Sequence, residues 1–196
     1  MNIKSICVYC GSSPGILPEY AAAATQFGRL LALRGIELVF GGGNVGLMGA
    51  VADGALDAGG RVTGVIPRRL QEKEVAHKNL TELHCVSSMH ERKTMMADLS
   101  DAFVALPGGI GTLEEIFEVY TWTQLGFHRK PCAFLNVAGF YSGLFSFLEF
   151  MVEQRFVKDE HYRSLIVDSD GARLIDRIAA YEHVALDKWI DRKKEA

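Results

Sequence analysis

Short apolar runs rich in β-branched and aromatic residues alternate with longer helical patterns along almost the whole chain. The predicted strands are Ile3–Tyr9, Glu37–Phe40, Val62–Ile66, Leu83–Val86, Ala102–Leu106, Cys132–Asn136 and Leu165–Val167. The predicted helices are Glu19–Arg34, Gly46–Ala58, Met89–Leu99, Thr112–Gly126, Tyr141–Arg155 and Asp170–Tyr181. Nearly continuous apolar strands that alternate with helices are typical of a parallel sheet covered on both faces. The sequence therefore predicts the α/β class, with a doubly wound, Rossmann-like parallel sheet.

The length of 196 residues and the absence of a linker or repeat predict a single domain. We expect this domain to cover residues 1–188 and a charged, frayed tail to cover residues 189–196. A net charge of -3 disfavours a general nucleic-acid partner, which needs a basic face. The apolar runs are too short to span a membrane, and the first residues lack a secretion signal. These features predict a cytoplasmic protein without nucleic-acid or membrane partners.

Three loops rich in glycine or serine follow predicted strands. They contain Gly11-Ser12-Ser13, Gly41–Gly46 (with Gly42 and Gly43) and Pro107–Thr112. Ligands of doubly wound sheets bind beyond the carboxyl ends of the strands, so loops from separate strands can meet at one ligand. We expect these three loops to converge on a shared binding cleft.

The segment after the fifth strand reads Leu106-Pro107-Gly108-Gly109-Ile110-Gly111-Thr112-Leu113-Glu114-Glu115. Its glycines allow backbone amides to face an anion, and the following helix N-terminus adds about half a positive charge. A carboxylate beside such a phosphate cradle would repel the ligand if binding were its only task. The pattern therefore indicates chemistry on a phosphorylated molecule.

The spacing Gly41-x-Gly43-x-x-Gly46 also matches the fingerprint of dinucleotide-binding proteins. That fingerprint needs an acidic residue about 20 positions further on to hold the ribose, whereas this chain has Arg61. A nucleotide or phosphate cleft is therefore favoured over NAD binding. The structural alternative is a tight turn whose glycines adopt positive φ.

Arg92 lies on the apolar face of a predicted helix. Ser88-x-x-Glu91 fits a capping box at the start of that helix. Met89, Arg92 and Met96 recur at helical spacing on one side. A guanidinium there needs an anionic partner, which is either a protein carboxylate or a ligand phosphate. The alternative is a side chain that extends along the protein surface to solvent.

Glu115 has two interpretations. In a capping box with Thr112, its carboxylate would bind the backbone amide of Thr112. The apolar stripe of Leu113, Ile116 and Tyr120 leaves Glu115 outside the core, near the mouth of the glycine loop. The adjacent glycine loop and the unpaired Arg92 favour a catalytic role.

Other sequence features bear on cofactors and assembly. Cys7-x-x-Cys10 lies in an apolar strand, where buried structural thiols are favoured over a redox pair or zinc ligands. The six histidines have no metal-ligand spacing, so we expect neither a metal nor a cofactor. The segment Gly139–Phe156 is apolar almost all round, so neighbouring elements or a second subunit must cover it. We expect a homodimer.

The chain resembles the LOG ("lonely guy") family of phosphoribohydrolases, which have long been misnamed lysine decarboxylases. The matching segments are Cys10-Gly11-Ser12-Ser13, Gly41-Gly42-Gly43-x-x-Gly46-Leu47-Met48-Gly49, Gly64-Val65-Ile66-Pro67, Met89-His90-Glu91-Arg92-Lys93, Pro107-Gly108-Gly109-x-Gly111-Thr112-x-x-Glu115 and Thr121-Trp122-x-Gln124-Leu125-Gly126. They run in the family's order over about residues 5 to 156, and the Arg-Lys and glycine–glutamate signatures are the most specific.

The resemblance implies hydrolysis of the N-glycosidic bond of N6-substituted adenosine 5′-monophosphates, which yields the free base and ribose 5-phosphate. It implies a catalytic pair at Arg92 and Glu115, no metal, and a dimer or larger oligomer. It also implies further substrate-binding positions at Glu74, Lys93, Gly109–Glu115 and Thr121. Two alternatives remain open: an activity on unsubstituted AMP, and a non-catalytic carrier of a nucleotide or cofactor, as in some molybdenum-cofactor carriers.

Overall fold

The computed structural model describes residues 2–71 and 76–183. Within them, seven parallel strands form one sheet in the order β4-β3-β2-β1-β5-β6-β7. The strands are β1 (Ser5–Tyr9), β2 (Glu37–Phe40), β3 (Val62–Pro67), β4 (Glu82–Val86), β5 (Ala102–Ala105), β6 (Cys132–Leu135) and β7 (Ile166–Asp168). The predicted doubly wound α/β fold is confirmed, and each predicted strand is present.

The helices lie on both faces of this sheet. They are α1 (Pro18–Leu33), α2 (Gly46–Asp57), α3 (Arg68–Gln71), α4 (Met89–Asp98), α5 (Ile110–Gln124), α6 (Ser142–Glu153), α7 (Asp159–Arg163) and α8 (Gly171–Ala179). A 3-10 turn, Val137–Gly139, precedes α6. The six long helices match the prediction, whereas α3 and α7 were not predicted.

Two apolar cores cover the two faces of the sheet, because successive strand residues point to opposite sides. Ile6 and Val8 of β1 join the core beneath α1, α2 and α8. Cys7 and Tyr9 join the core beneath α4, α5 and α6. Both faces of the central strand β1 are therefore buried, and the loop at its carboxyl end begins between the two cores.

The strand order reverses direction between β1 and β5, which are paired from Ile6–Ala102 to Tyr9–Ala105. A parallel sheet binds ligands at such a switch point. The loops that follow β1 and β5 lead to α1 and α5, which pack on opposite faces of the sheet. The topology therefore favours a functional site at this edge of the sheet.

The apolar helix α6 is less covered than the sequence suggested. Of its residues, all of which are described, Leu148 alone is buried. Phe147 and Phe150 are 58% and 50% exposed, so the other described elements of the chain leave this face open. No helix in the described ranges is long and apolar enough to cross a membrane. The predicted charged tail lies outside the described residues.

Candidate active site

A cavity of about 280 Å³ opens at the switch point, beyond the carboxyl ends of β1 and β5. It brings together nine of the predicted site residues: Gly11, Ser12, Met89, Arg92, Gly109, Gly111, Thr112, Glu114 and Glu115. Cys10, Met48 and Leu70 also line it and were not predicted. Met48 and Leu70 come from α2 and α3, where apolar side chains give no signal in the sequence that separates a cavity wall from the core.

Backbone hydrogen bonds connect the loop after β1 to the loop after β5 and to the start of α2. None of residues 41–46 lines the cavity, so the predicted convergence on one cleft is confirmed for the loops after β1 and β5 and not for the loop after β2. The amide of Gly11 donates to the carbonyl of Pro107 over 3.0 Å, and the carbonyl of Gly11 accepts from the amide of Leu47 over 2.9 Å. A Cβ atom at Gly108 would lie 2.8 Å from the nitrogen of Gly11, so glycine permits this contact.

The helix α5 begins earlier than predicted, at Ile110, with Gly109 as its N-cap residue. Thr112 is consequently inside the first turn and is not the N-cap residue that the predicted capping box requires. Gly109 has no side chain with which to cap this N-terminus, and the first turn contains no acidic residue. Because first-turn amides lack partners within the helix, they can bind an anion.

Arg92 is buried, with a relative exposure of 6%. Its Nε donates to the carbonyl of Val65 over 3.2 Å, and its Nη2 donates to the carbonyl of Gly41 over 3.4 Å. Ser88 caps α4 by accepting from the amide of Glu91, while the Glu91 carboxylate accepts from the amide of Ser87. The guanidinium is therefore fixed by main-chain carbonyls and does not extend to solvent.

Of the two anionic partners considered for Arg92, the structure shows a protein carboxylate, that of Glu115. Arg92 Nη1 lies 3.8 Å from Glu115 Oε1, and the two side chains are 8% and 13% exposed. Such shielding from water strengthens the attraction between the two charges. Both groups line the cavity. This pair places one positive and one negative group beside the N-terminus of α5.

Lys93 does not line the cavity in this structure. Its Nζ lies 2.6 Å from Glu114 Oε1 and 3.0 Å from Glu118. Burial lowers the pKa of Lys93, but its hydrogen bonds to the two carboxylates outweigh this effect and raise the pKa above its ordinary value. Glu118 was missed because the contact joins two helices that are distant in sequence.

The remaining predicted site residues have different positions. Thr121 donates to the carbonyl of Phe117 and lines a second cavity of about 160 Å³, between α5 and α6. Glu74 lies outside the described residues. The main cavity is not lined by Ser13, Gly42, Gly43, Gly108, Ile110 or Leu113.

The loop after β2 supports the tight-turn interpretation of its glycines. Gly42 and Gly46 adopt φ values of 77° and 57°, which favour glycine. A Cβ atom at Gly41 would lie 2.0 Å from Arg92 Nη2. The spacing that resembles a dinucleotide fingerprint therefore serves chain geometry and makes room for Arg92.

The thiols of Cys7 and Cys10 are buried and unpaired. Burial raises the pKa of both thiols far above the usual range, which disfavours the thiolate needed for redox chemistry. Among the residues that the structure describes, no group of three His, Cys, Asp or Glu side chains could hold a metal ion. Of the described residues, the charged side chains that line the cavity are Arg92, Glu114 and Glu115.

A protein-family model described as "Possible lysine decarboxylase" matches residues 48–178. The cytokinin riboside 5′-monophosphate phosphoribohydrolase LOG of Oryza sativa subsp. japonica is 47% identical over 180 residues, covering 92% of this chain and 74% of that protein. The chain belongs to the LOG family. The Arabidopsis thaliana relative LOG1 is 45% identical over 192 residues, covering 95% of this LOG-family chain and 90% of the relative.

Solved structures support the fold of this LOG-family member. The molybdenum cofactor binding protein of Rippkaea orientalis has a TM-score of 0.69 at 24% identity, covering 92% of this chain and 98% of that one. The molybdenum cofactor carrier protein of Chlamydomonas reinhardtii has a TM-score of 0.66 at 21% identity, covering 90% and 98%. At such identities, the likeness concerns the fold alone.

Proposed function

We propose that this LOG-family chain is a hydrolase that cleaves the N-glycosidic bond of N6-substituted adenosine 5′-monophosphates. The products are the free base and ribose 5-phosphate, and unsubstituted AMP is a second candidate substrate. The observation that carries this proposal is the ion pair between buried Arg92 and largely shielded Glu115, which lies beside the N-terminus of α5. The names of the relatives, which are 43–47% identical, agree with this activity.

The N-terminus of α5 would hold the 5′-phosphate. Its first-turn amides supply hydrogen-bond donors, and the helix dipole adds positive potential at the same end. Gly109 and Gly111 line the cavity here, so a phosphate can approach the backbone closely. This binding mode fixes the ribose relative to the next turn of the helix.

Glu115 lies one turn further along α5, close to where the ribose would be held. Cleavage of a glycosidic bond develops positive charge on the sugar ring. A carboxylate that is shielded from water stabilises this charge more strongly than it stabilises the neutral substrate, which lowers the barrier. Glu115 would also orient the attacking water molecule.

Arg92 would keep Glu115 ionised through their close approach. Its guanidinium could alternatively bind the phosphate or stabilise the departing purine, whose nitrogen gains electron density as the bond breaks. In each role it acts as a fixed cation, since the carbonyls of Gly41 and Val65 hold it in place.

The decisive experiment measures base release from isopentenyladenosine monophosphate and AMP by wild-type protein and Glu115→Gln. The substitution removes the negative charge but keeps the shape, so we expect turnover to fall by about a thousandfold or more. AMP should still bind with similar affinity. Glu82→Gln on the edge strand β4 is the matched control and should keep wild-type turnover.

The two substrates separate the two candidate activities. Faster release of isopentenyladenine than of adenine supports an N6-substituted substrate, whereas the reverse assigns the site to plain AMP. If Glu115→Gln retains more than a tenth of the wild-type turnover, Glu115 is not the catalytic carboxylate.

The carrier alternative has support from fold likeness alone, at 24% identity or less in the two solved structures. A carrier has little use for a buried carboxylate beside its anion site, since that charge opposes binding of the ligand. Tight binding of AMP without any release of base would favour the carrier. Decarboxylation of lysine has no support at Lys93, because its raised pKa keeps the amine protonated and unreactive.

We propose a homodimer that forms through the α6 face. Phe147 and Phe150 expose about half of their surface, one helical turn apart, and Gly143 precedes them by another turn. Apolar faces of this kind mark protein interfaces. Light scattering at micromolar concentration should give about twice the chain mass of 21.6 kDa. The double variant Phe147→Asp/Phe150→Asp should give a single-chain mass, whereas a wild-type monomer contradicts the proposal.

We also propose a reducing compartment, the cytoplasm, as the location. The four cysteines all lie within the described ranges, and none of them forms a disulfide. Unpaired cysteines are typical of cytoplasmic proteins, in which thiols are kept reduced.

A further inference from the structure

The loop after β2 is bonded to a segment that follows α3 in sequence. The amide of His77 donates to the carbonyl of Gly42 over 3.0 Å, and Gly43 and Ala76 form an isolated antiparallel bridge. These contacts bring residues 76–79 against the loop that carries Gly41. The loop is therefore fixed by contacts outside its own strand.

The side chain of His77 anchors this segment to α2. His77 is 5% exposed, and its Nε2 lies 2.9 Å from Asp53 Oδ1. Its Nδ1 accepts from the amide of Asn79 over 3.3 Å. Since Nδ1 accepts and the carboxylate can only accept, the proton of the neutral imidazole is on Nε2 and is donated to Asp53.

His77 connects the loop after β2 to α2, the helix that follows this loop. Its amide holds the carbonyl of Gly42, and its imidazole holds α2, which begins at Gly46 directly after the loop. The side chain of Asp53 is 60% exposed. Solvent contact on one side means that Asp53 can be substituted without opening a cavity in the core.

The arrangement of this loop also determines where the guanidinium of Arg92 lies. The Gly41 carbonyl that accepts from Arg92 Nη2 is one residue away from the Gly42 carbonyl that His77 holds. A Cβ atom at Gly41 would lie only 2.0 Å from Nη2, so backbone and guanidinium are in close contact. A movement of this loop would therefore move the guanidinium.

We propose that His77 is a positioning residue, which together with Asp53 fixes the Gly41–Gly43 loop and thereby the guanidinium of Arg92 at the active site. The catalytic part of this inference rests on the proposed function. The placement of Arg92 is a separate property of the folded protein, which can be measured without substrate turnover.

The test compares Asp53→Ala, which removes the acceptor, with Asp53→Asn, which keeps an oxygen that can accept from Nε2. The first readout is the rate at which phenylglyoxal modifies Arg92 in the folded protein, followed by peptide mass spectrometry. We expect Asp53→Ala and His77→Ala to raise this rate about fivefold or more. Asp53→Asn should restore a rate close to that of the wild type.

The second readout is kcat/KM for base release in the wild-type and Arg92→Lys backgrounds. Asp53→Ala should lower kcat/KM about tenfold in the wild type and less than twofold beside Lys at position 92. Residues that act through the same group are non-additive in this way, whereas independent effects multiply. Asp53→Asn should retain most of the wild-type kcat/KM.

The matched control is Glu82→Ala, which breaks another histidine–carboxylate contact, the 3.1 Å pair of His84 and Glu82 on β4. It should change neither readout. If Asp53→Ala lowers the melting temperature but leaves the modification of Arg92 at the wild-type rate, His77 stabilises the fold without positioning Arg92. If wild-type protein releases no base while the modification results hold, the proposed function fails and the positioning of Arg92 stands.

Discussion

The two glycine-rich loops at the carboxyl edge of the sheet look alike in sequence but meet different surroundings. After β2, a Cβ atom at Gly41 would lie 2.0 Å from Arg92 Nη2, and one at Gly46 would lie 2.4 Å from Ser12. After β5, a Cβ atom at Gly109 or Gly111 would meet no described atom within 4 Å. Crowding by the protein's own atoms explains why positions 41 and 46 are glycine, but it does not explain glycine at positions 109 and 111.

Backbone conformation strengthens this contrast. Gly46 has a positive φ, whereas Gly109 has a φ of -89°, which any residue can adopt. Glycine at position 109 is therefore required neither by strain nor by a neighbouring group of the described chain. Glycines after β2 and Gly108 after β5 are therefore explained by contacts within the protein, whereas Gly109 and Gly111 leave open space that fits the proposed approach of a phosphate.

Among the changes that test this contrast between the loops, the largest effect is expected at Gly41. Gly41→Ala places a methyl group within the volume of the Arg92 guanidinium and should lower kcat/KM by about a hundredfold or more. It should also destabilise the fold by about 1–3 kcal/mol, the range for overpacking. Kinetics and urea unfolding of the same preparation measure both changes. Wild-type kinetics would show that Arg92 need not stay where Gly41 now places it.

A smaller but more diagnostic effect is expected at the open loop. Gly111→Ala adds a methyl group within the first turn of α5, where the chain tolerates it. Stability should stay unchanged or rise by up to about 1 kcal/mol, since alanine favours a helix more than glycine does. The KM for the nucleotide should nevertheless rise about tenfold, because the phosphate can no longer approach the amides closely. An unchanged KM would show that glycine at position 111 is not needed for phosphate binding, and the proposed contrast between the two loops would then fail.

The smallest effect on activity is expected at His128, which precedes β6 at the opposite edge of the sheet. Burial foremost, and then the charge of Lys130, lower the pKa of His128 to about 4. The unfolded chain, with an ordinary value near 6.5, therefore takes up a proton that the folded chain refuses between these two pH values. Stability should fall as the pH is lowered from about 6.5 towards 4.

The measurement is the urea midpoint of wild type and His128→Asn at pH 7 and pH 5. The Asn oxygen can still accept from the amide of Lys130, as Nδ1 does in the wild type. The variant should lose less stability at pH 5 and keep wild-type turnover at pH 7. An equal loss in both proteins would assign the acid sensitivity to other groups.

The sequence predicted the sheet well because strand identity depends on local composition. Continuous apolar runs such as Ala102–Ala105 can be buried on both faces only in a covered parallel sheet. The four- and five-residue helices α3 and α7 were missed because one turn has no measurable periodicity. Helix ends were harder still: the pattern Thr112-x-x-Glu115 indicated an N-cap, whereas Gly109 takes that place.

At the site, the sequence predicted residues but not their partners. The position of Arg92 on an apolar stripe predicted a buried cation with an anionic neighbour, and Glu115 at 3.8 Å is consistent with that expectation. The pairing of Lys93 with Glu118 could not be predicted, because it depends on how α4 and α5 pack. The exposure of the α6 face could not be predicted either, since the sequence of an apolar helix does not show whether the same chain or another molecule covers it.

The support of Arg92 by two carbonyls has a consequence for behaviour on heating. Val65 belongs to β3 and Gly41 follows β2, so the guanidinium finds its place only when these neighbouring strands are paired. Loss of activity and melting of the sheet should consequently coincide in a temperature ramp. In the wild-type protein, the guanidinium of Arg92 should therefore stay ordered until β2 and β3 separate.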